Sequence, residues 1–66
     1  MDRFDIDYKD GVLTVRQSAK NLFSIDLNNR FIGYIGYNGA IFKLQPESKM
    51  QEDAYLLIVE ELKNRL

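Results

Sequence analysis

The chain of 66 residues has no cysteine and no histidine. The first absence removes disulfides and thiolate ligands. The second removes the usual general base, and together they remove the ordinary donors for zinc and most transition metals. No cofactor or metal site is expected. A chain of this length buries only about 60% of the surface its unfolded form exposes. Small domains usually add a disulfide, a metal or a partner subunit. Of these supports, oligomerisation is left open, so a homodimer is expected.

No apolar run approaches the roughly 20 residues of a membrane-spanning helix. The opening "MDRFDIDYKD" is acidic and lacks the apolar core of a signal peptide. A cytoplasmic protein away from membranes is expected, in keeping with the missing cysteine. Nine basic residues against ten acidic ones give a net charge of −1. The basic residues are scattered, which argues against a nucleic-acid surface, where clustered Lys and Arg meet phosphates.

What is present is strand pattern, turn chemistry and one amphipathic tail. Phe4, Ile6 and Tyr8 alternate with Asp5, Asp7 and Lys9, the period of a strand. Asp10-Gly11 follows as a type I′ hairpin signal. This turn predicts Tyr8 opposite Leu13, Ile6 opposite Val15, and Asp5 opposite Arg16. The polar stretch "QSAKN" reads as a break. Turns at Asn28-Asn29 and Asn38-Gly39 then divide a meander into strands near 21–27, 30–37 and 40–44, and Pro46 ends it. The tail "PESKMQEDAYLLIVEELKNRL" reads as one helix. Ser48 and Gln51 have capping-box spacing, and Glu52 and Asp53 suit the positive end of the helix dipole. Tyr55, Ile58, Val59, Leu62 and Leu66 line one side. The expected architecture is a single α+β domain over 1–66. It is an antiparallel five-strand sheet, hairpin plus three-strand meander, with one C-terminal helix packed across it.

The stretch "RFIGYIGYNGAIF" carries three of the four glycines. It fits neither the dinucleotide fingerprint nor a P-loop. Gly39 reads as turn chemistry, Gly33 as room for a close layer, and Gly36 as relief of curvature. Pairing the strands through their turns yields two apolar faces. One carries Phe23, Ile25, Leu27, Ile32, Tyr34 and Ile41, with Arg30 and Lys43 at the margin. The other carries Leu22, Ile35, Phe42 and Leu44, with Phe31, Tyr37 and Ala40. The helix is expected on the second. Phe23, Ile25, Arg30, Ile32, Tyr34, Ile41 and Lys43 are then the expected interface, with Met50, Ala54 and Leu57 as a secondary one.

The chemistry for catalysis is thin. Thr14, Ser18, Ser24 and Ser48 have no histidine partner, and no enzyme activity is expected. Asp5 and Asp7 lie roughly 7 Å apart on one side of a strand. With Asp2 or Asp10 they could approach a hard cation. The string "DIDYKDG" nevertheless has Lys9 where an oxygen ligand is needed, and a solvated strand is the preferred reading. The expected function is a non-enzymatic interaction protein, an inhibitor or adaptor that binds another protein. Two alternatives are a small-ligand binder with a subunit-interface pocket lined by Phe23, Tyr34 and Arg30, and a structural subunit of a larger assembly.

Overall fold

The computed structural model describes residues 3–66. Five strands run in sequence: β1 (Arg3–Tyr8), β2 (Gly11–Ala19), β3 (Leu22–Leu27), β4 (Arg30–Tyr37) and β5 (Phe42–Leu44). The helix α1 (Glu52–Arg65) closes the chain. The strands form one antiparallel sheet in the order β1-β2-β3-β4-β5, so each strand pairs with its neighbour in sequence. This is the expected α+β architecture. Short polar turns make the meander possible, because an antiparallel pair can be closed by two residues.

The first turn differs from its expected position. Tyr8 stands opposite Gly11 and Ile6 opposite Leu13, so Lys9 and Asp10 form the loop. Lys9 takes the positive φ, 53°, that the sequence assigned to Asp10-Gly11. Gly11 has another task. A Cβ there would stand 2.6 Å from Asn28 Oδ1, which accepts a hydrogen bond from the Val12 N–H at 3.0 Å. The two-residue shift keeps each side chain on its expected face but changes partners. Asp5 faces Thr14, whose hydroxyl donates to Asp5 Oδ1 at 3.0 Å. Arg16 faces Arg3 and turns instead to Asp26 at 3.2 Å.

"QSAKN" is mostly strand rather than a break. β2 runs to Ala19 with an irregularity between Gln17 and Ala19. Asn28-Asn29 is a turn as expected, with φ of 52° and 66°. The last hairpin loop is longer than two residues: Tyr37 pairs with Phe42, leaving Asn38–Ile41 outside the ladder. Asn38 does not take positive φ. Its Oδ1 instead accepts from the N–H groups of Ala40 and Ile41, at 3.0 and 2.8 Å. Such side-chain-to-backbone bonds let asparagine mimic a backbone turn. Gly39 has φ 97°, a conformation that disfavours a Cβ.

The helix begins at Glu52, later than the tail pattern predicts, because Gln45, Ser48 and Lys49 are hydrogen-bonded along β4 instead. Gln51 is the N-cap, with extended φ and ψ and no side-chain cap bond. The expected capping box does not form, since Ser48 is engaged with β4. Glu52 and Asp53 occupy the first turn, and Lys63 and Arg65 the last, which complements the dipole at both ends. Ala54, Ile58 and Leu62, four apart, are buried. They join Leu13, Val15, Phe23, Ile25 and Ile35 in the core. Full burial of Ile58 or Leu62 contributes roughly 1.5–3 kcal/mol each. Tyr55 and Val59 are half-buried at the margin of this stripe, while Leu66 is exposed.

Candidate functional site

The largest departure from the expected surfaces lies in β4. Leu27 pairs with Arg30 and Asp26 with Phe31, as counting from the Asn28-Asn29 turn requires. Ile25 then pairs with Gly33 rather than Ile32, and Phe23 with Ile35. Ile32 is the extra residue of a β-bulge. A one-residue slip moves every later side chain to the opposite face. The sheet therefore has one apolar face, under the helix, rather than two. Phe23, Ile25 and Ile35 share that face, and all are almost fully buried.

The expected interface comes apart accordingly. Phe23 and Ile25 lie in the core, and Ile32 packs against it, half-buried. Tyr34 lies on the open face, Ile41 on the exposed last loop, and Arg30 and Lys43 are exposed. The pocket expected from Phe23, Tyr34 and Arg30 does not assemble, because Phe23 and Tyr34 project to opposite faces. The secondary row separates too. Met50 and Ala54 are buried against the sheet, leaving Leu57 exposed.

The same bulge builds something the sequence reading missed. Residues i and i+3 of a strand ordinarily point to opposite faces. The inserted Ile32 brings Phe31 and Tyr34 onto one face, with ring centroids 4.9 Å apart and planes at 62°. This edge-to-face arrangement is favourable for aromatic quadrupoles. Both rings are open to solvent, Phe31 at 54% and Tyr34 at 39% exposure. The visible signal was Gly33 in a strand, together with Ile32 and Ile35 three apart, which breaks period two.

The segment after β5 forms the opposite wall. The Gln45 N–H donates to the Tyr34 carbonyl at 3.1 Å, and the Lys49 N–H to the Ile32 carbonyl at 2.7 Å. Between these anchors, Ser48 crosses directly against Gly33, where any Cβ would collide with the Ser48 side chain. Ser48 Oγ also accepts from the Tyr34 N–H at 3.3 Å. Leu22, Phe31 and Tyr34 face Gln45, Pro46, Glu47 and Ser48 across a groove of about 550 Å³. That size lies within the range of small-ligand and peptide clefts. Glu47 is the charged side chain of its lining.

The rest of the open face is mixed in charge. Asp5, Asp7, Thr14, Arg16 and Asp26 occupy its β1–β3 half. Among the described residues, no group of three acidic side chains could hold a metal ion. Asp2, one of the acids considered for a cation, lies outside the described residues. No helix among them is long and apolar enough to cross a membrane. No protein-family model, curated protein or solved structure matches the chain.

Proposed function

We propose that this protein is a non-enzymatic interaction module that binds another protein through the aromatic groove on its open sheet face. The observation that carries this reading is the solvent-exposed Phe31–Tyr34 pair, held by the bulge beside the wall of residues 45–48. Exposed aromatics rimmed by polar groups are typical of contact surfaces, since a large apolar area is placed at low cost in side-chain entropy. Ser24 and Ser48 give little support to hydrolytic chemistry. Ser24 is buried, and Ser48 is committed to the backbone of Tyr34.

The case for self-association rested on a small core without disulfide or metal and on a second apolar face. That face contracts to Leu22, Phe31 and Tyr34, so a second copy competes for the same groove as any other partner. Affinity capture from the source cell tests the proposal with three tagged proteins: wild type, the double variant Phe31→Ser/Tyr34→Ser, and Leu57→Ser on the helix. A partner held by the wild type and Leu57→Ser, and lost from the double variant, is expected. Retention by the double variant with loss from Leu57→Ser would move the contact surface to the helix and overturn the assignment.

A further inference from the structure

Three features constrain what can occupy the groove. First, the backbone of β4 along the groove is already used. The Tyr34 N–H and carbonyl are used by Ser48 and Gln45, and Lys49 uses the Ile32 carbonyl. A guest therefore gains no ladder of main-chain bonds, as it would at a free sheet edge. Second, the walls are short and angular. Two rings in edge-to-face contact present an angled surface beside Pro46, which suits compact rigid groups rather than the long i, i+3, i+4, i+7 stripe of a helix. Third, the charged group in the lining is an acid, Glu47.

Resting on the proposed contact surface, we infer that the groove takes an extended, proline-containing segment of a partner protein with an arginine or lysine beside the prolines. Polyproline II has no internal hydrogen bonds and is preorganised, so it loses little entropy when it lies on an aromatic surface. Proline rings pack onto the exposed outer surfaces of the Phe31 and Tyr34 rings, beside Pro46. The Tyr34 hydroxyl and the Gln45 amide offer donors to the carbonyls such a segment leaves free. Glu47 meets the basic residue. A second copy of this chain fits less well, because its one proline is Pro46, which already forms the opposite wall.

The test uses three blocked decapeptides and the isotope-labelled 66-residue protein, read by amide chemical shifts. One peptide holds prolines and leucines with a terminal arginine. The second replaces every proline by alanine, and the third replaces the arginine by glutamine. The first should bind saturably, with shifts centred on Phe31, Tyr34, Gln45, Glu47 and Ser48. Tyr34→Ser or Phe31→Ser should each weaken it by up to about tenfold, with circular dichroism confirming the fold. Glu47→Gln should weaken the arginine peptide by about two- to fivefold and leave the glutamine peptide unchanged. Equal binding of the alanine peptide, shifts centred elsewhere, or concentration-dependent shifts at the groove without peptide would each overturn the inference. If no peptide binds while partner capture still depends on Phe31 and Tyr34, the contact surface stands and this ligand class falls. If capture is also indifferent to both rings, the surface falls with it.

Discussion

The Tyr8 hydroxyl donates a hydrogen bond to Asp53 Oδ1 at 2.7 Å, joining the end of β1 to the first turn of α1 across 45 residues of sequence. The same carboxylate accepts from the Ala54 N–H at 2.8 Å and lies 3.5 Å from Lys9 Nζ. The contact links three otherwise separate features: the hairpin turn with its positive φ at Lys9, the start of the helix, and the edge of the core. The bond from Tyr8, ahead of the other influences, holds the Asp53 carboxyl below its ordinary value; the backbone bond and Lys9 act in the same direction. The Lys9 ammonium is raised, chiefly through its neighbour Tyr8 and then by Asp53.

These directions fix the sign of a pH dependence. A carboxyl depressed in the folded state contributes stability above its unfolded value, and that contribution is lost as pH falls through the folded one. Urea midpoints for the wild type should therefore decline from about pH 4 downward. Asp53→Asn should be less stable than wild type at neutral pH, and the gap should close in acid. A gap that stays constant down to the lowest pH would mean that Asp53 acts through shape rather than charge. At the alkaline end the raised Lys9 value predicts the reverse. Its contribution is complete below the unfolded pKa and is lost as pH rises through the folded one.

Tyr34 and Ile35 are adjacent, and they should respond oppositely to charge. Ile35→Asp places an unpaired carboxylate beneath the helix, among residues with no access to water. Its cost should exceed about 4 kcal/mol, comparable with the whole stability of so small a domain. Tyr34→Asp lies on the open face and should keep a native circular dichroism spectrum. Unfolding by Tyr34→Asp and not by Ile35→Asp would reverse the assignment of faces.

That contrast also marks how far the sequence carried. Strand alternation and turn residues were sufficient for five strands in order, although the Asp10-Gly11 turn, the "QSAKN" break and the capping box did not form as their local signals suggested. The helix stripe at Ile58 and Leu62 was legible from its spacing. Partners and faces were less so. The Lys9-Asp10 turn places a lysine at positive φ, which propensity assigns to glycine, and the packing of Gly11 against Asn28 has no local signature. The bulge at Ile32 inverted the later part of β4 and with it the expected interface. A glycine in a strand signals irregularity but not which residue is inserted. Phe31 and Tyr34 were read onto different faces for that reason, so Tyr34 alone of the two entered the expected site.

Gly39 offers a purely conformational test. Its φ is 97°, and nothing lies within 4 Å of the place a Cβ would take. Gly39→Val should cost about 1–2 kcal/mol from backbone strain alone, while Gly39→Asn should cost less, because asparagine tolerates positive φ. Thermal midpoints of both variants check this. Equal midpoints for valine and wild type would mean that the loop can rearrange without loss to the sheet.

Gly33 should behave differently, because its constraint is a neighbour. A methyl group there would collide with the side chain of Ser48 and would stand 3.0 Å from its Cα. Gly33→Ala alone should be destabilising, and it should loosen residues 45–49, the wall of the groove. Ser48→Gly removes the colliding atoms along with the bond to the Tyr34 N–H. The double variant Gly33→Ala/Ser48→Gly should therefore be more stable than the sum of the two single losses. A coupling of roughly 0.5–3 kcal/mol is expected for residues in such contact, read from urea denaturation of all four proteins. The backbone at Gly33, with φ 156°, and the remaining contact with the Ser48 Cα keep the recovery incomplete. Strict additivity would mean that the strand and the crossing segment separate freely, and the groove would then have no fixed second wall.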